Sequence, residues 1–464
     1  MMKRRHFLQT TAALAAFPFV RGRAAASARP PRVLLRGSWQ SVNIGDIGHT
    51  MGGVRLLEKY IPDVEVTLWS GSGDGTVHND PPNQQVRELL QRTFPRLRFA
   101  DGALNAQGRP TTAAMAAAWE EADVMVHGSG SGFGARGQLA AFHRATGKPY
   151  GVFGVSTDPI SGFGTGRDPE GGTLNNLRAR IEKLPPDHLD ASTRGIIAGA
   201  SFMYCRDTLS RDYLRAQGLK PPVLEFGPDA QFGMDARDEA RAAAYLKAHG
   251  LEDQKFICAI PRLRYTPYHR MRNLKTTPTD MERDAINART TEADHAKVRD
   301  VMIRWVRNTG MKVLACPEMT YQVATAKEFL VDPLPADVKR NVVWKDSFWM
   351  TDEAASVYAK AVAVVCVECH SPIISLAVGT PTFHVRQPTD TCKGQMFRDV
   401  GISDWLFEVD ETSGAEMWAR LELILKDPAA ARRRVQTVMQ TVTQQQHAMV
   451  ESLRRTLAQP RKRA

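Results

Sequence analysis

Long apolar runs are missing from this sequence. No stretch of the 464 residues reaches the ~18–20 apolar positions of a membrane span, which excludes a polytopic membrane protein. Cysteine is scarce: six in the whole chain cannot make a disulfide framework. A sustained basic stripe with aromatics interleaved is absent, so no nucleic-acid partner is expected. Metal-ligand spacing is also absent. No H-x-x-x-H pattern occurs, and Cys366, Cys369 and His370 are the only close Cys/His group, so neither a metal nor another cofactor is expected.

Even the basic excess is small. Lys plus Arg is 61 and Asp plus Glu is 50, giving +11. Five of those basic residues, Lys3, Arg4, Arg5, Arg21 and Arg23, fall in the first 28 positions, which hold no acid; without them +6 remains. Arg461, Lys462 and Arg463 carry three more, so the body is mildly basic and reads as a solvated mixed-charge surface. What is present is a globular balance, 43% apolar and 24% charged. At roughly 100–200 residues per domain, the length suits two domains.

Lys3-Arg4-Arg5-His6-Phe7-Leu8 is a twin-arginine pattern followed by a weakly apolar stretch to Val20. That stretch is too short to span a bilayer unaided and right for a signal h-region. Ala24-Ala25-Ala26-Ser27-Ala28 supplies small residues for cleavage. Residues 1–28 therefore read as a twin-arginine signal peptide, with an uncleaved anchor or a buried helix as the alternatives. The expected location is periplasmic or exported, with the export machinery a transient partner, and cytoplasmic if the signal is not used.

In the mature chain, short apolar runs alternate with helical patterns. Strands are expected at Arg32–Arg36, Val64–Trp69, Val124–His127 and Tyr150–Val155, with helices at Met51–Tyr60, Gln84–Thr93, Thr111–Glu121 and Gly137–Thr146. The rhythm restarts after residue 235. Strands are expected at Phe256–Ile260, Lys312–Cys316, Val342–Lys345, Val362–Val367, Thr382–Val385 and Trp405–Val409. Helices are expected at Glu292–Asn308, from a Thr351 cap through Lys360, at Pro372–Val378 and at Asp427–Leu457. This is the β-α-β pattern of parallel sheets covered on both faces. The fold class is α/β, with two doubly wound Rossmann-like domains facing across a cleft. Their expected extents are 29–235 and 236–430, followed by a C-terminal helix and basic tail, 431–464.

In such a fold, ligands sit at the carboxyl ends of the strands. After the first strand comes Asn43-Ile44-Gly45-Asp46, which reads as a ligand loop or as a turn with Asp46 capping the next helix. It lacks the spacing of a dinucleotide fingerprint. Gly128-Ser129-Gly130 opens a glycine loop that presents N–H groups to a ligand or is a flexible connection. Arg206-Asp207 opens a helical run, and Arg262 and Arg264 follow the first strand of the second half. Clustered guanidinium groups suit a phosphate or carboxylate; the alternatives are an exposed ion pair and a solvated loop. His370-Ser371-Pro372 follows another apolar strand and places a titratable imidazole beside the N–H groups of a helix start. A structural histidine is the alternative. Cys366-Val367-Glu368-Cys369-His370 also spells the haem c attachment pattern. It ends a strand expected to be buried, where a haem has no room, and residues three apart in a strand lie ~10 Å apart, too far for a disulfide.

Taken together and in this order, these segments resemble the polysaccharide pyruvyl transferase family. The resemblance rests on four blocks spanning about residues 32–400. The first is Asn43-Ile44-Gly45-Asp46. The second is Ala122-Asp123 and the strand leading to Gly132. The third is Arg206-Asp207 with Ser210, Leu214, Gly218 and Pro228-Asp229. The fourth is His370 with Ile373, Gly379 and Pro381. The resemblance implies a glycosyltransferase-B-like fold and transfer of a carboxyethylidene group from phosphoenolpyruvate to a sugar hydroxyl of a polysaccharide or oligosaccharide acceptor. It implies His370 as general acid. It makes Arg206, Arg262, Arg264, Arg386, Lys393 and Ser371 candidate donor-binding residues. Asn43, Gly45, Asp46, Gly128, Ser129 and Gly130 become acceptor-side or loop residues. Two positions depart from the family pattern. Glu368 stands where the family has Arg, and Ser375 where it has Ala. A carboxylate at 368 repels a trianionic donor unless Arg386 or Lys393 restores the charge. Phosphoenolpyruvate is also a cytoplasmic metabolite. An exported glycan-binding protein, non-catalytic or using another donor, is therefore the alternative reading.

Overall fold

A computed structural model describes residues 29–37, 40–70, 81–157, 159 and 172–459. The twin-arginine segment, Ser38-Trp39 and the basic tail lie outside the described residues.

Thirteen strands form two sheets among these residues. The first sheet contains β1 (Arg32–Arg36), β2 (Glu65–Trp69), β3 (Arg98–Phe99), β4 (Val124–His127), β5 (Tyr150–Val155), β6 (Phe202–Cys205) and β7 (Leu224–Phe226). The second contains β8 (Phe256–Ile260), β9 (Lys312–Ala315), β10 (Val342–Trp344), β11 (Ala363–Cys366), β12 (Thr382–Arg386) and β13 (Leu406–Glu408). The strand orders are β3-β2-β1-β4-β5-β6-β7 and β10-β9-β8-β11-β12-β13. Neighbouring strands pair in parallel, as between β1 and β4 and between β8 and β11. Helices cover both faces, which is why central strands such as β4, β5, β8 and β11 are buried at every position. Strand order reverses between β1 and β4 and again between β8 and β11. Both switch points lie where a doubly wound sheet opens a crevice for ligand.

Local chemistry moves several helix starts from their expected positions. The helix expected from Met51 begins at Ile44, because Asn43, and not Asp46, is the cap: its side chain accepts from Gly45 N. The helix expected from Glu292 begins at Pro278 and runs to Thr309. Thr277 and Asp280 form a capping box around that proline-bearing start. Thr351 does not cap. It is the first helical residue of Thr351–Tyr358, and its hydroxyl donates to Ile44 O at 2.8 Å across to the first domain. The helix expected from Pro372 begins at His370.

The chain passes between domains after the turn Ala230–Gly233 and before the helix Glu239–His249, whose cap residue Asp238 donates its N–H to Ser356 Oγ at 3.0 Å. It returns through the helix Pro428–Ala458. That helix starts on the second domain, where Arg434 pairs with Asp404. It ends against the first, where Tyr204 OH donates to Ala448 O at 3.0 Å. Val435, Val438 and Val442 pack in the core of the second domain, and Met449, Val450 and Leu453 in a core that draws on both domains.

Candidate functional site

His370 owes its position to a helix start that lacks its own cap. Cys369, at the cap position, offers no side-chain acceptor to the N–H groups of the helix His370–Ala377. Glu318 supplies one from the loop after β9. Its Oε2 accepts from Ser371 N at 2.6 Å and its Oε1 from His370 Nδ1 at 3.0 Å. A carboxylate belongs there, since a helix N-terminus carries partial positive charge. Glu318 is fully buried, and burial raises its pKa against the hydrogen bonds from Ser371. Burial, then the neighbouring His49, lowers the His370 pKa to about 3, so its imidazole is neutral. With Nδ1 donating to Glu318, the lone pair sits on Nε2, which is buried and has no hydrogen-bond partner.

The first domain closes the other side of this imidazole. Asn43 Oδ1 accepts from Gly45 N at 2.7 Å, and Ile44 N donates to Glu318 O at 3.1 Å. Gly45 then meets His370 so closely that a Cβ there would stand 2.2 Å from the ring. Only glycine permits this approach. Asp46 Oδ1 lies 3.9 Å from His49 Nδ1, and His49 Nε2 lies 3.0 Å from Asp229 Oδ2. The His49 and His370 rings meet edge to face, with centroids 4.8 Å apart. Arg206 is fully buried. Its Nη1 donates to Asp229 Oδ2 and its Nε to Ser156 Oγ, both at 2.9 Å, while its Nη2 has no partner. Against the penalty of burial, His49 and Arg206 hold the Asp229 carboxyl well below the usual range.

The expected anion-binding residues divide into two groups. Arg206, Arg262, Lys393 and Ser371 converge near His370; Arg264 and Arg386 do not. Arg262 Nε lies 3.2 Å from Glu368 Oε2, and its Nη1 pairs with Asp390. Lys393 Nζ lies 3.0 Å from Asp390 Oδ1. Glu368 also accepts from Gln322 Nε2 at 2.8 Å. Glu368 is thus held by a cation of its own domain. Arg264 turns to Asp294 at 2.8 Å and Asp410 at 2.5 Å. Arg386 is fully buried and spans Glu408 Oε2 at 2.7 Å, Gly172 O at 3.0 Å and Thr391 O at 2.9 Å. Each of the four arginines is therefore held by carboxylates of the chain.

The Gly128-Ser129-Gly130 loop is knitted to its surroundings. Gly128 N donates to Arg36 O at 2.9 Å. Ser129 Oγ donates to Phe153 O at 3.1 Å and accepts from Ala230 N at 2.8 Å. Gly130 bridges Val155. Cys366 and Cys369 are fully buried thiols, and burial pushes Cys369 up to about 12. Neither sulfur is accessible, so this segment is core and leaves no face for a haem.

Sequence reasoning missed Glu318 and His49 and gave Asp229 no role. A signal existed for Glu318. It follows the apolar strand Lys312–Ala315 as His370 follows Ala363–Cys366, so inspecting every strand's carboxyl end would have found it. His49 lies three residues after Asp46, on the same helix face.

Chemically, the site holds a neutral imidazole oriented by a buried carboxylate, with an unpaired nitrogen and three buried cations, Arg206, Arg262 and Lys393, nearby. That arrangement can carry a proton to or from a bound substrate.

A family model described as polysaccharide pyruvyl transferase matches residues 43–387. A search of curated proteins gives no match. Among solved structures, a UDP-N-acetylglucosamine 2-epimerase is similar at 15% identity, with a TM-score of 0.52 over 92% of this chain and 95% of that one. Anabaena HepE, in complex with UDP and glucose, is 10% identical, with a TM-score of 0.51 over 93% of this chain and 100% of that one. The UDP-GlcNAc 2-epimerase of Neisseria meningitidis, bound to UDP-GlcNAc, is 9% identical, with a TM-score of 0.51 over 91% and 100%. These likenesses show the two-domain, glycosyltransferase-B-like fold.

Proposed function

The chain belongs to the polysaccharide pyruvyl transferase family, and from that premise we propose that it moves a pyruvyl group from phosphoenolpyruvate to a sugar hydroxyl of a cell-envelope polysaccharide, with His370 as the proton carrier. The observation that carries this reading is the His370–Glu318 pair, whose unpaired Nε2 stands at the carboxyl ends of the strands. As an acceptor hydroxyl attacks C2 of the donor, the methylene carbon C3 must take a proton. A second hydroxyl then displaces phosphate at C2 and closes the ketal. Neutral His370 is a poor acid in the empty site. A trianionic donor beside it favours the imidazolium, and Glu318 stabilises that charge through Nδ1. Nε2–H is then the proton delivered to C3. Arg206 and Arg262 are the proposed anion holders, and Arg262 must exchange Glu368 or Asp390 for the donor.

That last requirement supports a second reading, a glycan-binding protein that is non-catalytic or uses another donor, because the chain's own carboxylates already hold its cations. Thermal stabilisation separates the two. A ligand that binds only the native state raises the melting midpoint as RT ln(1 + [L]/Kd). Phosphoenolpyruvate titrated against the wild type is expected to give a concentration-dependent rise, larger in Glu368→Gln. No rise in either at millimolar donor transfers the function to the second reading. The twin-arginine pattern supports a periplasmic or exported location. Fractionation of cells carrying Arg4→Lys/Arg5→Lys is expected to leave the protein in the cytoplasm.

A further inference from the structure

A cavity of about 400 Å³ lies where the ends of β6 and β7, the Gln395–Asp399 helix and the Pro428–Ala458 helix meet, and His370 is not among its lining residues. The half-buried Phe226 gives it an aromatic wall, the buried Tyr204 lies behind it, and Thr208, Arg211, Glu225, Asp399, Gln445 and Ala448 complete the lining. Part of the polar lining is saturated. Asp399 accepts from Thr208 N at 2.8 Å, Thr208 Oγ1 at 2.7 Å and Gln395 Nε2 at 2.8 Å. Tyr204 OH is bonded to the crossing helix. The rest keeps hydrogen-bonding capacity. Glu225 uses one oxygen on Arg215, and Arg211 uses Nε and Nη2 on Asp212. Gln445 has an amide that can both donate and accept.

We propose that this cavity is a second saccharide-binding site, for a neutral hexose or N-acetylhexosamine unit of a polysaccharide. One aromatic side chain, Phe226, beside planar amide, guanidinium and carboxylate groups suits a ring that is apolar on its faces and hydroxylated at its edges. The lining carries one cation and two carboxylates, so a uronic acid or sulfated unit is disfavoured. The inference rests on the polysaccharide reading and extends it. None of the lining residues belongs to the His370 centre, so the cavity would grip the polymer at a distance from the point of modification. Linking two such sites raises the affinity for long chains without strengthening either contact.

The test is binding of the full chain to an array of neutral, N-acetylated, uronate and sulfated oligosaccharides, with three proteins compared. Wild type and His370→Ala are expected to bind the neutral or N-acetylated set. Arg211→Ala/Gln445→Ala is expected to lose at least ten-fold in affinity at an unchanged melting midpoint, since both residues are partly exposed and outside the cores. Equal binding by the double variant, retention only of uronate or sulfated probes, or no binding by the wild type would each overturn the proposal. Failure of the pyruvyl reading is distinguishable: phosphoenolpyruvate then gives no stabilisation while the array signal and its loss in the double variant persist.

Discussion

Replacing Glu318 by Gln keeps the shape of the residue and changes only what it can ask of His370. The carboxylate accepts two bonds, from Ser371 N at 2.6 Å and His370 Nδ1 at 3.0 Å. An amide has one acceptor and one donor end. If its oxygen serves Ser371, its NH2 faces Nδ1 and drives the ring proton to Nε2. If it turns the other way, NH2 faces the Ser371 N–H, and two buried donors oppose each other at a cost of ~1–3 kcal/mol. The first arrangement is therefore expected. Hydrogen bonds to a charged group contribute ~1.5–3 kcal/mol and neutral ones ~0.5–1.5, a loss of about 1–2 kcal/mol per bond. Removing a buried carboxylate whose pKa burial has raised offsets part of this. Net destabilisation should stay near or below ~2 kcal/mol. An NH2 facing Nδ1 cannot stabilise the imidazolium whose Nε2 proton is delivered, so turnover should instead lose the ~10²–10⁴-fold that general acid–base catalysis supplies. Long-range 15N spectra of His370 report the tautomer, a urea titration the stability, and ketal formation the rate. A variant that turns over within a few-fold of wild type, with Nδ1 still protonated, refutes the reasoning.

Other expectations follow from the same geometry. Gly45→Ala drives a methyl group to 2.2 Å from the His370 ring; a stability loss of ~1–3 kcal/mol by denaturant titration, with the ring displaced, is expected. Thr351→Val removes the bond to Ile44 O that ties the two domains together, and should lower unfolding free energy by about 1 kcal/mol, read from the shift of the urea midpoint. Burial lowers His127 and His384 to about 4 and His370 to about 3 from an ordinary 6.5. Their contribution is present above pH 6.5 and drains as pH falls towards those values, because the unfolded chain takes up protons that the folded one refuses. Burial raises Asp207 to about 6 and also raises Glu318, Glu353, Glu368 and Asp399, and these carboxyls act oppositely at lower pH. Urea midpoints should therefore fall from pH 7 to pH 6, where the histidines dominate, and His384→Asn should flatten that slope; a flat profile there in the wild type contradicts the burial argument.

The sheets were legible because parallel strands buried on both faces must be apolar along their length, and runs such as Val124–His127 and Phe256–Ile260 advertise that. Helix starts were less so. Asn43 and Thr277 act through a few local hydrogen bonds, which leave no periodicity to read. The imidazole was legible in His370, since a polar residue following an apolar strand stands out. Its partner was not, because Glu318 becomes its neighbour only when β9, β8 and β11 lie side by side. The arginines were visible as a charge cluster, but the carboxylates that hold them, Asp294, Asp390, Glu408 and Asp410, come from segments far away in sequence. Pairing across a fold is set by topology, and composition records only that the two signs nearly balance.

The crossing helix also sets the order in which the protein can be finished. Met449, Val450 and Leu453 pack in a core that draws on both domains, from Val33 and Val54 to Cys258 and Val364. That core lacks these side chains until residue 453 has been synthesised. A nascent chain consequently exposes part of it until then, and a premature stop before residue 449 opens a core whose other residues are all in place.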